Sequence, residues 1–239
     1  SERIQSGKYK VDLAPLDSLK GWALDSISGT YGHESGKFFT INGLHVELEV
    51  NGDVKHWTQL IVNQSEQGIL GLLAKRIDGV IHVLIQAKME PGNINSIQLS
   101  PTVQATKSNY KRVHRGKKIQ FLNFFLNKTK CLVNSKQTEQ GFRYLFKKNT
   151  NILLNVNRNI NFSKNHKWIS KKHLISMVKK KNILNMDTLS VFSCAIKKSN
   201  FDKPVNSMKK IDNWLINMKK KYYIKISRIK LCDMKNWTI

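Results

Sequence analysis

A chain of 239 residues, 40% apolar and 24% charged, has the make-up of one soluble domain, slightly long for its kind. No apolar run reaches the roughly eighteen residues of a membrane span; the longest, such as Leu189–Ile196, has the length of a core strand. The net charge of +25 is one-sided, with 9 basic against 11 acidic residues over positions 1–100 and 32 against 5 over 101–239.

That asymmetry is the pattern of a polyanion-binding surface. Its composition argues otherwise, because only 7 of the 41 basic residues are Arg. Arg is the residue favoured for bidentate phosphate or base recognition. Lys, Asn and Ile rising together fit drift in an AT-rich genome, so no specific nucleic-acid partner is expected and no membrane. Cys131, Cys194 and Cys232 are odd in number at unpatterned spacings. They suit reduced thiols in a cytoplasm rather than a disulfide framework or zinc site. Ser1-Glu2-Arg3 opens no apolar leader, and without an initiator Met the true start is expected upstream.

In chain order, Lys37–Ile41 and the alternating Leu44–Val50 flank Asn42-Gly43, which predicts a hairpin turning there; Asn51-Gly52-Asp53 closes the second run. Thr58–Asn63 and the almost wholly apolar Gly79–Ile85 are further strands, the latter buried on both faces. Ile119–Phe125 and Ile152–Val156 are later apolar runs. Ser170–Lys181 reads as a helix with Ser170 as N-cap and Leu174, Ile175 and Val178 facing the core. Lys209–Lys221 is a second helix, with Ile211, Trp214, Leu215 and Met218 on one face, running into an alternating strand at Tyr223–Leu231. Strands and helices without a regular βαβ rhythm predict the α+β class.

The two ends repeat. Lys10–Leu24 aligns without gaps with Lys225–Ile239 at an offset of 215. Lys10, Leu16, Lys20 and Trp22 recur as Lys225, Leu231, Lys235 and Trp237, while Val11, Leu19 and Leu24 recur as Ile226, Met234 and Ile239. Chance similarity of two strand-then-turn segments is the alternative. A genuine repeat predicts one module over 1–200, and a basic helix–strand tail over 201–239 that resembles the start of a second, missing one.

Between Gln86 and Tyr110 most side chains are of hydrogen-bonding type. Gln98, Ser100, Thr102 and Gln104 alternate along an extended stretch and so point to one side. Such a strip suits a ligand rich in hydroxyls and carbonyls. A solvent-facing edge is the alternative, and Pro101 argues against a central strand. The seven histidines form no HxxxH or HxH ligand spacing, and no GxGxxG or GxxxxGK[ST] loop is present.

The successive motifs Q-A-K-M-E-P-G-N (Gln86–Asn93), Q-L-S-P-T-V-Q-A-T (Gln98–Thr106) and S-N-Y-K-R-V-H-R-G (Ser108–Gly116) resemble those of NDP-hexose 2,3-dehydratases. H-E-S-G-K-F-F at His33, Q-S-E-Q-G-I-L-G at Gln64, Q-T-E-Q-G-F at Gln137 and N-M-D-T at Asn185 follow the same family order. Members usually carry two such repeats, and one is present here. The chain departs from the family at Asn134-Ser135-Lys136, which lacks an acidic residue, and at Leu189, where Arg is usual.

The resemblance implies a Nudix-hydrolase-like mixed sheet with flanking helices but no Nudix metal chemistry, no metal and no cofactor. It also implies removal of the C2 hydroxyl and C3 proton from a dTDP-linked or other NDP-linked 4-keto-6-deoxyhexose. The 4-keto group acidifies C3–H, so the protein must supply a base at C3, donors to the C4 enolate and an acid at the C2 oxygen. Glu90 and Glu66 are candidate bases, a carboxylate in an enclosed polar pocket being expected to have a raised pKa. Lys88, Tyr110 and His114 are candidates for acid or enolate stabiliser, and Arg112, Arg115 and Lys148 for the diphosphate. Gln64, Gln86, Asn93, Asn95, Gln98, Ser100, Thr102, Gln104, Ser108, Asn109, Glu139, Gln140 and Asn149 are the remaining candidate substrate contacts. For Glu90 the alternative is a turn cap beside Pro91-Gly92, for Tyr110 a core aromatic, for Lys148 a surface lysine. A non-catalytic NDP-sugar-binding remnant or subunit of a split dehydratase, and a basic nucleic-acid module, are the competing functions. A homodimer, or pairing with a second repeat, is the expected assembly.

Overall fold

The computed structural model describes residues 10–110, 118–127, 130–195 and 207–234, of which Tyr110 and positions 207–210 are described by their backbone alone. The chain divides into two compact units, each built from discontinuous pieces. The first takes positions 1–13, 66–139 and 148–196; the second takes 14–65, 140–147 and 197–239. Described residues form strands and helices in two sheets, the expected α+β class. No described helix is long and apolar enough to cross a membrane.

The first unit is organised around β5 (Gly68–Ile77), which is apolar on both faces. Leu70, Leu72 and Ala74 enter one core with Val83, Ile85, Ile169, Leu174, Leu184 and Val191. Leu73 enters the other with Leu84, Val103, Leu122, Phe125, Ile152 and Leu154. Burying each such side chain contributes about 1.5–3 kcal/mol, so two-sided burial makes β5 the anchor of the unit. Asp78 (φ 47°) and Gly79 (φ 77°) turn the chain into β6 (Val80–Met89), whose first half is the apolar run read from the sequence. β10 (Lys148–Asn155) lies parallel to β5, β9 (Cys131–Thr138) antiparallel to β10, and β11 (His166–Ser170) antiparallel to the outer edge of β6.

Past Leu73↔Leu84 the strands β5 and β6 part. The gap is filled by β7 (Ile97–Ser100) along β6 and β8 (Val103–Ala105) along β5. The apex of this fork would strand two backbone groups, and Thr102 satisfies both. Its hydroxyl donates to the Leu84 carbonyl and accepts the Leu73 N–H at 3.0 Å. The polar stretch Gln98–Gln104 is therefore two short strands broken at Pro101, not one continuous face.

Among the described residues four helices serve this unit: α1 (Lys107–Tyr110), α2 (Leu122–Asn127), α3 (Lys171–Val178) and α4 (Met186–Ala195). Phe125 of α2 lies against Gly71, where a Cβ would enter the ring. Ser170 caps α3 as expected, accepting the His173 N–H at 3.3 Å, and Leu174 is buried, while Ile175 and Val178 are exposed. The described part of the apolar run, Leu189–Ala195, falls in α4 rather than in a strand. Asn185 starts that helix by accepting the N–H and hydroxyl of Thr188, both at 2.9 Å.

In the second unit, β3 (Thr40–Val50) is the central strand. β4 (Asp53–Asn63) pairs along its whole length, and its other edge takes β2 (Thr30–His33) at Thr40–Ile41 and β12 (Tyr222–Ile229) over Gly43–Val50. β1 (Trp22–Asp25) pairs with β2. The hairpin expected at Asn42-Gly43 is absent, since β3 runs straight through it. Gly43 is there for close approach: a Cβ would stand 2.9 Å from the Ile229 carbonyl and from Met234 Sδ. The turn lies at Asn51 (φ 53°) and Gly52 (φ 91°), a pair suited to a two-residue hairpin. The tail forms α5 (Ser207–Lys221) and β12 as read, with Ile211, Trp214 and Leu215 exposed.

Candidate functional site

Three of the family-like motifs converge within the first unit. Lys88 lies near the end of β6 and Glu90 just beyond it, in a turn closed by the Asn93 N–H donating to the Glu90 carbonyl at 3.0 Å. The Glu90 side chain does not cap that turn. Its Oε1 accepts from Lys88 Nζ at 3.0 Å and from Gln104 Nε2 at 2.9 Å, and its Oε2 from Asn185 Nδ2 at 3.5 Å. Asn185 Nδ2 also donates to Gln104 Oε1 at 3.1 Å. Alternation along β8 turns Val103 and Ala105 into one core and Gln104 to the opposite face, where α4 packs. The cap of α4 thus holds Asn185 by its oxygen and aims its amide at the carboxylate.

Burial acts to raise the Glu90 pKa, but the hydrogen bond and charge of Lys88 and the amides of Asn185 and Gln104 outweigh it. The carboxyl is held below its ordinary range. This corrects the expectation of a raised pKa: the enclosure is real, but a cation and two amides favour the charged form.

At the start of β5 a second carboxylate is fixed, Glu66 Oε2 accepting the Ser108 hydroxyl at 2.6 Å and its N–H at 3.1 Å. On the neighbouring strand Asn149 donates to Glu139, and Gln67 to Thr150. Asn151, buried two residues along from Asn149, accepts from Ser190 Oγ at 2.9 Å, while its Nδ2 has no partner among the described residues.

The other candidates are placed as follows. Gln86 sits on β6 between Ser100 and His166. Asn93 donates to the Ser96 carbonyl, Asn95 to the Asn182 carbonyl at 2.9 Å, and Ser100 and Thr102 are buried on backbone groups of their own unit. Asn109 and Lys148 are exposed. Gln64, which accepts from Lys147, and Gln140, whose carbonyl ends a turn at Tyr144, belong to the second unit. Arg112, His114, Arg115 and the Tyr110 side chain lie outside the described residues. Asn185 was not singled out by sequence reasoning; its signal was the N-M-D-T motif, an Asn-x-x-Thr cap.

A cavity of about 890 Å³ lies on the far side of β7, lined by Gln98, Leu99, Asn95, His82, His166, His173 and Ile183 among others. Neither Lys88 nor Glu90 lines it. The two regions meet at Leu99, whose carbonyl accepts the Asn185 N–H at 3.0 Å and Thr188 Oγ at 2.9 Å. The carboxylate with its converging ammonium and two amides, rather than the volume, makes the first region the candidate site. Among the described residues no group of three or more His, Cys, Asp or Glu is arranged to hold a metal ion.

A profile of NDP-hexose 2,3-dehydratases matches residues 1–195. The chain belongs to this family. The dTDP-4-dehydro-6-deoxy-α-D-glucopyranose 2,3-dehydratase of Saccharopolyspora spinosa is 40% identical over 196 residues, covering 81% of this chain and 40% of that protein. The enzyme of the same name from Amycolatopsis orientalis is 34% identical over 243 residues, 99% of this chain and 52% of its own. That of Streptomyces violaceoruber is 35% identical over 248 residues, 99% and 56%. The chain spans about half the length of the curated dehydratases it matches.

Proposed function

We propose that this chain carries a sugar-nucleotide 2,3-dehydratase site acting on an NDP-linked 4-keto-6-deoxyhexose, with the Lys88–Glu90–Gln104–Asn185 network at its reacting centre. The supporting observation is that network: residues of three family-like motifs, distant in sequence, share one carboxylate. In the reaction the C3 proton leaves to a base, charge develops on the C4 oxygen, and the C2 hydroxyl departs with a proton as water. The resulting C2–C3 enol tautomerises to the 3,4-diketone, so no net oxidation occurs and no redox cofactor is called for. Glu90, ionised at neutral pH, is the base. Its modest basicity is offset by the acidity of a proton next to a ketone. Lys88 stabilises the enolate or protonates the departing oxygen in this reading. The cavity beyond β7 has the volume for a nucleotide, with Gln98 and Asn95 on its wall. A cytoplasmic location and action together with a second repeat belong to the same reading.

Glu90→Gln tests this. Gln keeps the shape and cannot accept a proton, so turnover of the 4-keto sugar nucleotide should fall by about 10²–10⁴-fold. Calorimetric binding of dTDP in EDTA should be unchanged. Normal turnover by the variant would move the base to Glu66.

A further inference from the structure

The end-to-end sequence repeat is also a repeat of conformation. Short 3-10 turns occupy Leu16–Ser18 and Leu231–Asp233, at the same offset of 215 as the sequence match. Backbone angles before each turn are −56°/145° at Pro15 and −66°/144° at Lys230; after each they are −79°/114° at Leu19 and −74°/116° at Met234. The hydrogen bonds match too: Ser18 N–H to Pro15 at 3.1 Å against Asp233 N–H to Lys230 at 3.0 Å.

The surroundings of the two copies differ. In the tail, Ile226 packs against the Leu44–Val46–Ile61 cluster, and Leu231 and Met234 are buried with Tyr31. Their counterparts Val11, Leu16 and Leu19 are 54%, 55% and 37% exposed, and Leu13 is fully exposed. The tail's opening residues pair with β3 as β12, whereas Lys10–Ala14 belongs to no strand. One sequence pattern thus has its apolar side chains buried at one end of the chain and exposed at the other, where the Leu16 carbonyl accepts from the Tyr31 hydroxyl at 2.5 Å.

We propose that Lys10–Leu19 is a docking arm whose receptor is the β3-type sheet edge of a second repeat of this same fold. The tail supplies the register. Lys225 faces Glu47, Ile226 faces Val46, and Arg228 faces Leu44. Shifted by the offset, Lys10 faces the Glu47 counterpart, keeping the cross-strand charge pair, and Val11 faces the Val46 counterpart. Leu16 and Leu19 fill the places of Leu231 and Met234. The receptor is not this chain's own β3, because β12 already holds that edge. If the tail is the opening strand of a following repeat, then each repeat lends its first strand to the other and the exchange is closed. Relatives about twice as long have room for that second repeat. The inference is independent of the catalytic reading.

The test uses the full chain as donor. The receptor is the full chain carrying Ile226→Asp and Leu231→Asp to release its β3 edge, with Val11→Asp and Leu16→Asp to silence its own arm. Wild-type donor should form a 1:1 complex in sedimentation, with slowed amide exchange at donor residues 10–14 and restored protection across receptor β3. A donor carrying Val11→Asp and Leu16→Asp should bind at least tenfold more weakly. Equal binding by both donors, or binding by neither to a folded receptor, overturns the proposal. If the receptor does not fold, a chain with the sequence of Lys10–Leu19 grafted in place of Lys225–Met234 decides. Protection of β3 within tenfold of wild type supports the arm, and a larger loss overturns it.

Discussion

Two titratable side chains of the first unit are displaced downward by opposite balances. For Glu90, burial pushes up and is overruled by Lys88, Asn185 and Gln104; for His166, burial pushes down and the Thr102 backbone opposes it only in part. The imidazole Nδ1 bonds Ser163 Oγ at 2.9 Å, and its buried Nε2 has no partner of hydrogen-bonding geometry among the described residues. An unfolded His takes its proton near pH 6.5 and the folded one only at lower pH. Stability should therefore fall as pH drops from about 6.5 to the folded His166 value, then level off. The Glu90 contribution is present above the unfolded value near 4.3 and is lost as pH falls through its lower folded value. Urea midpoints against pH should show both steps, and His166→Gln should remove the upper one alone. An unchanged upper step in that variant would assign it elsewhere. Of these groups Lys88, Glu90 and Gln104 were legible in the motif. The sign of the Glu90 shift was not, because it depends on Lys88 and Asn185 reaching the same carboxylate from different elements.

Among the elements, the fork of β5 and β6 has the most specific demand on sequence, and it falls on Thr102. Replacing Thr102 by Val keeps the shape and leaves the Leu73 N–H and Leu84 carbonyl unpaired in a buried place. We expect a loss of about 1–3 kcal/mol for the unsatisfied groups. Thr102→Ser should keep most of the stability, and calorimetric melting of the two variants checks the contrast; equal melting would mean that the hydroxyl is not the clasp. Sequence periodicity found parts of β3, β4, β6 and β10, together with β12, α3 and α5, because these follow local apolar spacing; it passed over β5 and α4. It failed where a residue type serves a distant element. Asn42-Gly43 has the chemistry of a turn, yet Gly43 is small to admit Ile229 and Met234 from nearly two hundred residues away. Ser100 and Thr102 looked like ligand contacts because a hydroxyl that satisfies backbone reads the same in sequence as one that meets substrate.

At the scale of the whole molecule, the charge boundary and the structural boundary do not coincide. The basic stretch 101–139 and the segment 148–196 belong to the first unit, whereas 140–147 and 197–239 belong to the second. The excess of 27 positive charges beyond position 100 is therefore spread over both units and is no separable nucleic-acid-binding module. Lysine is a flexible point charge that attracts a phosphate without fixing its orientation, and the excess here is overwhelmingly lysine. Association with DNA or RNA should then be driven by counterion release, independent of sequence and steeply dependent on salt. If six to ten phosphates are neutralised, affinity should drop by about 10³–10⁵-fold between about 50 and 200 mM salt. Fluorescence anisotropy with two unrelated duplexes over that range measures it. Both should follow the same line of log affinity against log salt. A complex that persists at physiological salt and prefers one duplex would return the basic surface to the status of a recognition site, and would need a contact to base edges that lysines scattered over two units do not provide.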